Sequence, residues 1–86
     1  MVFFSMKKVS VVGLGYVGLP LACAIAETKR YIVSGYDIDQ KKIEIISQGK
    51  DPTDTSQRLS TDLDVSCETE ILQDSEVYFI CVPTPI

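Results

Sequence analysis

Six residues, Gly13-Leu14-Gly15-Tyr16-Val17-Gly18, constrain this chain more than any others. They follow a short β-branched, apolar-rich segment, KKVSVV at residues 7–12, which reads as a strand. They open a stretch, residues 16–29, long enough for a helix and apolar on most of its faces. In that context the G-x-G-x-x-G pattern has a physical task for each glycine. Gly13 permits the tight turn out of the strand. Gly15, without a Cβ, lets a pyrophosphate approach the backbone. Gly18 lets the helix pack closely on the strand. The N–H groups of the first helical turn, with those of Tyr16 and Val17 among them, then face the anion. Pro20 lies close enough to the helix start to cost little more than one hydrogen bond.

An ordinary glycine-rich turn remains the alternative until Asp37 is considered. It stands nineteen residues after Gly18, at the end of a second strand read at YIVSGY, residues 31–36. An acid there can bind both hydroxyls of an adenosine ribose and repels a 2′-phosphate, so NAD is expected over NADP. Asp39 already supplies the N-cap of the next helix, with Ile38 expected to staple to Ile43. Ile43 and Ile46 share one face of that helix, with Ile45 beside it. Gly49 fits its C′ position, and Pro52 follows. Lys41 and Lys42 sit in its first turn, where cations oppose the helix dipole. Either a nearby phosphate compensates them or they form a solvated pair.

Residues 50–62 are polar and read as loop. Residues 63–67 read as a short edge strand, and residues 69–75 as one or two helical turns. VYFICV, residues 77–82, reads as a strand buried on both faces. The expected fold is therefore α/β: a partial Rossmann fold, a parallel sheet of about four strands in the order 3-2-1-4, with flanking helices. A topological switch point lies between the first strand and the fourth.

Composition excludes several functions. Twelve acids against eight bases give a net charge of −4, the wrong sign for a nucleic acid or an anionic membrane as partner. Without histidine there is no Ser-His-Asp triad and no His-containing zinc site. Three cysteines, with no C-x-x-C spacing, exclude a disulfide framework and a Cys₄ metal site, and no metal is expected. Cys23 and Cys81 read as small core hydrophobes. Residues 9–26 carry no charge and follow two lysines, as a signal anchor would. Gly13, Gly15, Gly18 and Pro20 interrupt that run, so export or membrane anchoring is the weaker reading and a cytoplasmic protein is expected.

GLGYVGLPLA at 13–22, YDID at 36–39 and ICVPTPI at 80–86 together resemble the start of a nucleotide-sugar 6-dehydrogenase, in the UDP-glucose/GDP-mannose dehydrogenase family. The resemblance covers residues 7–86 and is nearest to the UDP-N-acetylhexosamine branch, including the Vi-polysaccharide type. It implies that Gly13, Gly15, Tyr16, Val17 and Gly18 form the pyrophosphate turn and that Asp37 is the ribose acid. It implies too that Lys42 lies near the adenosine ribose and that Thr84 contacts NAD beyond the fourth strand. The family oxidises a sugar CH₂OH to a carboxylate in two NAD-dependent steps through a cysteine thiohemiacetal. Cys23, Cys67 and Cys81 match none of its catalytic residues, so residues 1–86 are expected to be a truncated NAD-binding domain without catalytic or sugar-binding domains. A UDP-sugar is then a partner only of a full-length parent. Self-association is expected through the fourth strand, left bare where later elements would cover it. A non-catalytic nucleotide-sensing Rossmann module is the alternative. The stretch 49–63 is shorter than usual in the family, and Thr28-Lys29-Arg30 replaces its glycine-containing turn.

Overall fold

A computed structural model describes residues 6–59 and 63–81. The elements are β1 (Lys7–Val12), α1 (Gly18–Glu27), β2 (Tyr31–Tyr36), α2 (Gln40–Ser47), β3 (Lys50–Asp51), β4 (Asp54–Arg58) and β5 (Leu63–Ser66). A 3-10 turn (Thr69–Leu72) and β6 (Val77–Ile80) follow. The main sheet is parallel, in the order β5-β2-β1-β6, which is the expected 3-2-1-4 arrangement.

In-register partners on neighbouring strands share a sheet face. Val9 pairs with Val33, and Val33 with Leu63, and this face meets the helices. Val11, Val33, Leu14, Ala22, Ile43 and Ile46 form the buried core there. Helix α1 turns Leu19, Ala22 and Ala26 inward, at helical spacing, and the two alanines let it lie close to the strands. Pro20 is exposed on its other side. It occupies the third helical position, between the Leu19 N–H bond to the Gly15 carbonyl and the Leu21 N–H bond to the Val17 carbonyl, so it costs one first-turn hydrogen bond at most. Cys23, Cys67 and Cys81 are half-buried and pack against the core.

The second helix keeps its expected punctuation at both ends. The Asp39 side chain accepts from the backbone N–H groups of Lys41 and Lys42. Gly49 takes φ +79° and donates to the Ile46 carbonyl at 2.8 Å. The expected staple does not form: Ile38 is 85% exposed while Ile43 sits in the core. Helix α1 ends with Lys29 at φ +58°, a left-handed conformation that glycine takes without strain.

Two further findings correct the sequence reading, and a third agrees with it. The polar stretch after Gly49 is not simply loop, for β3 and β4 pair as an antiparallel hairpin, Lys50 opposite Arg58. Asp51 closes its tip by accepting from the Thr53 N–H and hydroxyl at 2.8 and 2.7 Å. Leu59, just beyond β4, donates to the Gly49 carbonyl at 2.9 Å and packs against the core. The 18-residue uncharged run is divided among β1, the glycine turn and α1, as the strand–turn–helix reading expects. Among the described residues no helix is long and apolar enough to cross a membrane. Finally, β6 is exposed along its length rather than buried on both faces: among the described residues no helix packs extensively over its side chains, and its edge pairs with β1 alone.

The second face of the sheet is held by polar groups. Lys8 reaches under the 3-10 turn and donates to the carbonyls of Ile71 and Gln73 at 2.7 and 2.6 Å. Ser10, fully buried, bonds the Ser75 hydroxyl, and the Tyr78 hydroxyl donates to the Leu72 carbonyl at 2.7 Å.

Candidate functional site

The candidate site lies at the C-terminal ends of β1 and β2, where an open parallel sheet places its ligands. Gly13 leaves β1 with φ +95°, a conformation open to glycine, and its N–H donates to the Tyr36 carbonyl at 2.8 Å. That bond bends the chain across the end of β2. Leu14 then points inward, 1% exposed, against β2 at Gly35. A Cβ on Gly35 would come within 2.9 Å of both Leu14 methyl groups.

Gly15 and Gly18 have opposite surroundings. A Cβ on Gly18 would stand 1.6 Å from the Gly13 carbonyl oxygen, so the helix start and strand end touch through bare backbone. A Cβ on Gly15 would meet nothing within 4 Å. The fold itself places no demand there, and the space over Gly15 is open. Tyr16 and Val17 follow, strongly exposed, at the opening of α1.

Asp37 closes the other side. Its carboxylate accepts from the Leu14 N–H at 2.9 Å, the Asp39 N–H at 2.9 Å and the Lys42 ammonium at 3.3 Å. The Leu14 bond ties the glycine turn to the end of β2. Burial pushes the carboxyl upward, but the two backbone donors and Lys42 outweigh it, and the net position is below the ordinary carboxyl value. Asp37 is therefore ionised at neutral pH. Three donors leave its two oxygens some of their lone-pair capacity for further hydroxyls.

Gly13, Gly15, Tyr16, Val17, Asp37 and Lys42 all line one open cleft of about 1070 Å³. Gly18, beneath them, is structural in its contacts. Thr84 lies outside the described residues. Lys42 has neither a free solvated ammonium nor a bare position awaiting phosphate, for it is paired with Asp37. The sequence reading missed Ile38, Ile80 and Cys81 in the cleft wall and the role of Leu14. For Ile38 a signal existed: an apolar residue directly after the acid. For Leu14 it was the single apolar side chain between two glycines.

These residues fit a dinucleotide. An acceptor-only pyrophosphate suits the open backbone over Gly15 at the start of a helix. A ribose diol suits a buried, ionised carboxylate with lone pairs to spare.

Comparison with known proteins agrees. Residues 7–86 match the NAD binding domain of the UDP-glucose/GDP-mannose dehydrogenase family. The chain is 42% identical over 83 residues to the UDP-N-acetyl-D-glucosamine 6-dehydrogenase of Pseudomonas aeruginosa, covering 92% of this chain and 19% of that protein. It is 40% identical over 88 residues to the UDP-N-acetyl-D-mannosamine dehydrogenase of Methanococcus aeolicus, covering 93% and 19%. Among solved structures, the native UDP-N-acetyl-mannosamine dehydrogenase of Staphylococcus aureus superposes with a TM-score of 0.74 at 34% identity, covering 92% of this chain and 20% of that one. A ternary complex of the GDP-mannose dehydrogenase from Pseudomonas aeruginosa gives 0.71 at 32% identity, covering 90% and 20%. The chain thus spans about a fifth of the length of these relatives.

Proposed function

This chain belongs to the UDP-glucose/GDP-mannose dehydrogenase family through its NAD binding domain, and from that premise we propose which of its residues hold the cofactor. The backbone of Gly13, Gly15, Tyr16 and Val17 receives the pyrophosphate, with Gly18 setting the helix close behind it. Asp37 accepts from the adenosine ribose. Lys42 acts on that ribose site by holding the Asp37 carboxylate, and Thr84, which lies outside the described residues, is assigned a cofactor contact on the family resemblance alone. Bound NAD supplies the acceptor for a hydride; the residues of this chain bind and orient it. Residues 1–86 form a cofactor-binding unit, and the catalytic and sugar-binding parts belong to the rest of a dehydrogenase polypeptide. The substrate of that whole enzyme is a UDP-sugar oxidised at its CH₂OH group, in the cytoplasm.

The observation that carries this reading is Asp37: a buried, ionised carboxylate fixed by the glycine turn and facing the cleft that the turn borders. Calorimetric titration with NAD, NADP and ADP-ribose tests it. NAD and ADP-ribose are expected to bind, and NADP at least tenfold more weakly. Equal affinity for NAD and NADP would contradict the role of Asp37.

Self-association belongs to the same proposal. Val77, Tyr78, Phe79 and Ile80 are 44%, 48%, 38% and 65% exposed, an apolar edge of the kind that templates pairing with a second copy. Antiparallel pairing of two β6 strands about a two-fold axis closes that edge in one contact.

A further inference from the structure

A second cleft, of about 420 Å³, opens between the start of α1, the first turns of α2 and the tip of the β3–β4 hairpin. It adjoins the cofactor cleft and shares Gly15, Tyr16, Asp39 and Lys42 with it. The rest of its wall is its own. Leu14, Leu19 and Ile45 give it an apolar floor, and Pro20 and Pro52 add two rigid apolar rings. That volume and lining suit a small organic ligand.

Its charges are unevenly matched. Lys42 is neutralised by Asp37 at 3.3 Å, which leaves Asp39 and Asp51 against Lys41 alone. Both carboxylates keep an oxygen in reserve. Asp39 uses Oδ1 for the N–H groups of Lys41 and Lys42, at 3.0 and 3.2 Å. Asp51 uses Oδ1 for the Thr53 N–H and hydroxyl, at 2.8 and 2.7 Å. Among the described residues, Oδ2 of each accepts no hydrogen bond. An anion finds less here. The N–H groups at the start of α2 are already capped by Asp39, so Lys41 is the one cation left to receive it, beside two carboxylates.

We propose that this cleft binds a small aromatic amine. The ring lies on the floor of Leu14, Leu19 and Ile45, between the two prolines, and the ammonium meets the carboxylates of Asp39 and Asp51. Burial of the ring supplies most of the affinity. The carboxylates set the sign of the charge, through hydrogen bonds that an ammonium donates and a carboxylate accepts. Tyr16, 86% exposed on the wall common to both clefts, offers a further aromatic face to a cation. The site does not depend on the cofactor reading, since Gly13, Val17 and Asp37 take no part in its wall.

The test is amide chemical-shift titration of the labelled chain with tryptamine and, separately, with indole-3-acetate, which has an indole ring and the opposite charge. Tryptamine is expected to bind saturably with a Kd of about 1 mM or tighter, moving the amides of Leu19, Ile45, Asp51 and Thr53. Indole-3-acetate is expected to bind at least tenfold more weakly. Asp39→Asn combined with Asp51→Asn keeps the Oδ1 acceptors of both turns and removes their charge. In that variant the two affinities should come within about threefold of each other. No saturation by about 10 mM tryptamine overturns the proposal, and so do equal affinities in the wild type. Shifts centred on Ile38, Ile80 and Cys81 overturn it too, because the amine then occupies the cofactor cleft. A preference for the amine that survives the double substitution refutes the role of the carboxylates. Should the double variant not fold, Asp51→Asn alone carries the test, with an expected loss of about threefold in tryptamine affinity; no loss refutes it.

Discussion

Substituting alanine at Gly15 and at Gly18 should separate binding from folding, although the two lie three residues apart in one motif. At Gly18 the new Cβ would sit 1.6 Å from the Gly13 carbonyl oxygen, about 1.4 Å short of the 3.0 Å that real Cβ atoms keep. The obstacle is backbone, so no rotamer change relieves it. Either α1 moves off β1, uncovering Leu19 and Ala22, or the turn distorts and the Leu14–Asp37 bond is lost. Overpacking of this kind costs about 3 kcal/mol or more. A domain of 86 residues has about 4–13 kcal/mol in total, so Gly18→Ala should remove a large part of it. At Gly15 the Cβ meets nothing within 4 Å, and the stability change should stay within about 0.5 kcal/mol. The same methyl occupies the space assigned to the pyrophosphate, and ADP-ribose affinity should fall at least tenfold, about 1.4 kcal/mol. Urea unfolding followed by circular dichroism measures the first quantity, and calorimetry with ADP-ribose the second. Wild-type affinity in Gly15→Ala would refute the anion role of the turn. Wild-type stability in Gly18→Ala would refute the backbone contact.

Other outcomes follow from individual contacts. Lys29→Gly relieves a left-handed residue at the end of α1 and should stabilise the chain by about 0.5–1 kcal/mol in urea unfolding, after the larger unfolded-state entropy of glycine is counted. The Asp37 carboxyl is depressed in the folded state, so its contribution to stability is complete above its ordinary value of 3.8 and disappears as pH falls through the lower folded value. Acid titration of stability should show that loss, and Asp37→Asn should remove it; an unchanged acid profile in the variant would contradict the hydrogen-bonded carboxylate. Sedimentation across a concentration series should detect a dimer that Phe79→Lys weakens, and a monomer at every concentration would remove the β6 contact.

What could be read in the sequence was whatever had a local cause. The glycine turn, β1, β2 and the caps of α2 are each specified by neighbouring residues, and Lys7–Val12, Tyr31–Tyr36, Asp39 and Gly49 stand where local chemistry puts them. The β3–β4 hairpin was illegible because Asp-Thr-Ser-Gln-Arg has no apolar alternation; strand pairing and the anchoring of Leu59 make it a hairpin. Ile38 looked like a staple because spacing alone cannot tell a residue that folds back from one that faces a cleft. The apolar run of β6 suited a buried strand, yet burial of a strand's faces depends on what packs over them, and among the described residues little does. The Lys42–Asp37 pair joins residues five apart, a spacing that becomes a contact only because α2 starts directly after the end of β2.

The central claim is that the glycine turn and Asp37 together form the cofactor site. Amide chemical-shift mapping of the labelled chain during NAD titration tests it most directly. The predicted result is saturating shifts at Gly13 to Gly18 and at Asp37 to Lys42, with the β3–β4 hairpin and the 3-10 turn unmoved. Shifts confined to the hairpin or the turn, or no shifts at millimolar NAD, would contradict it.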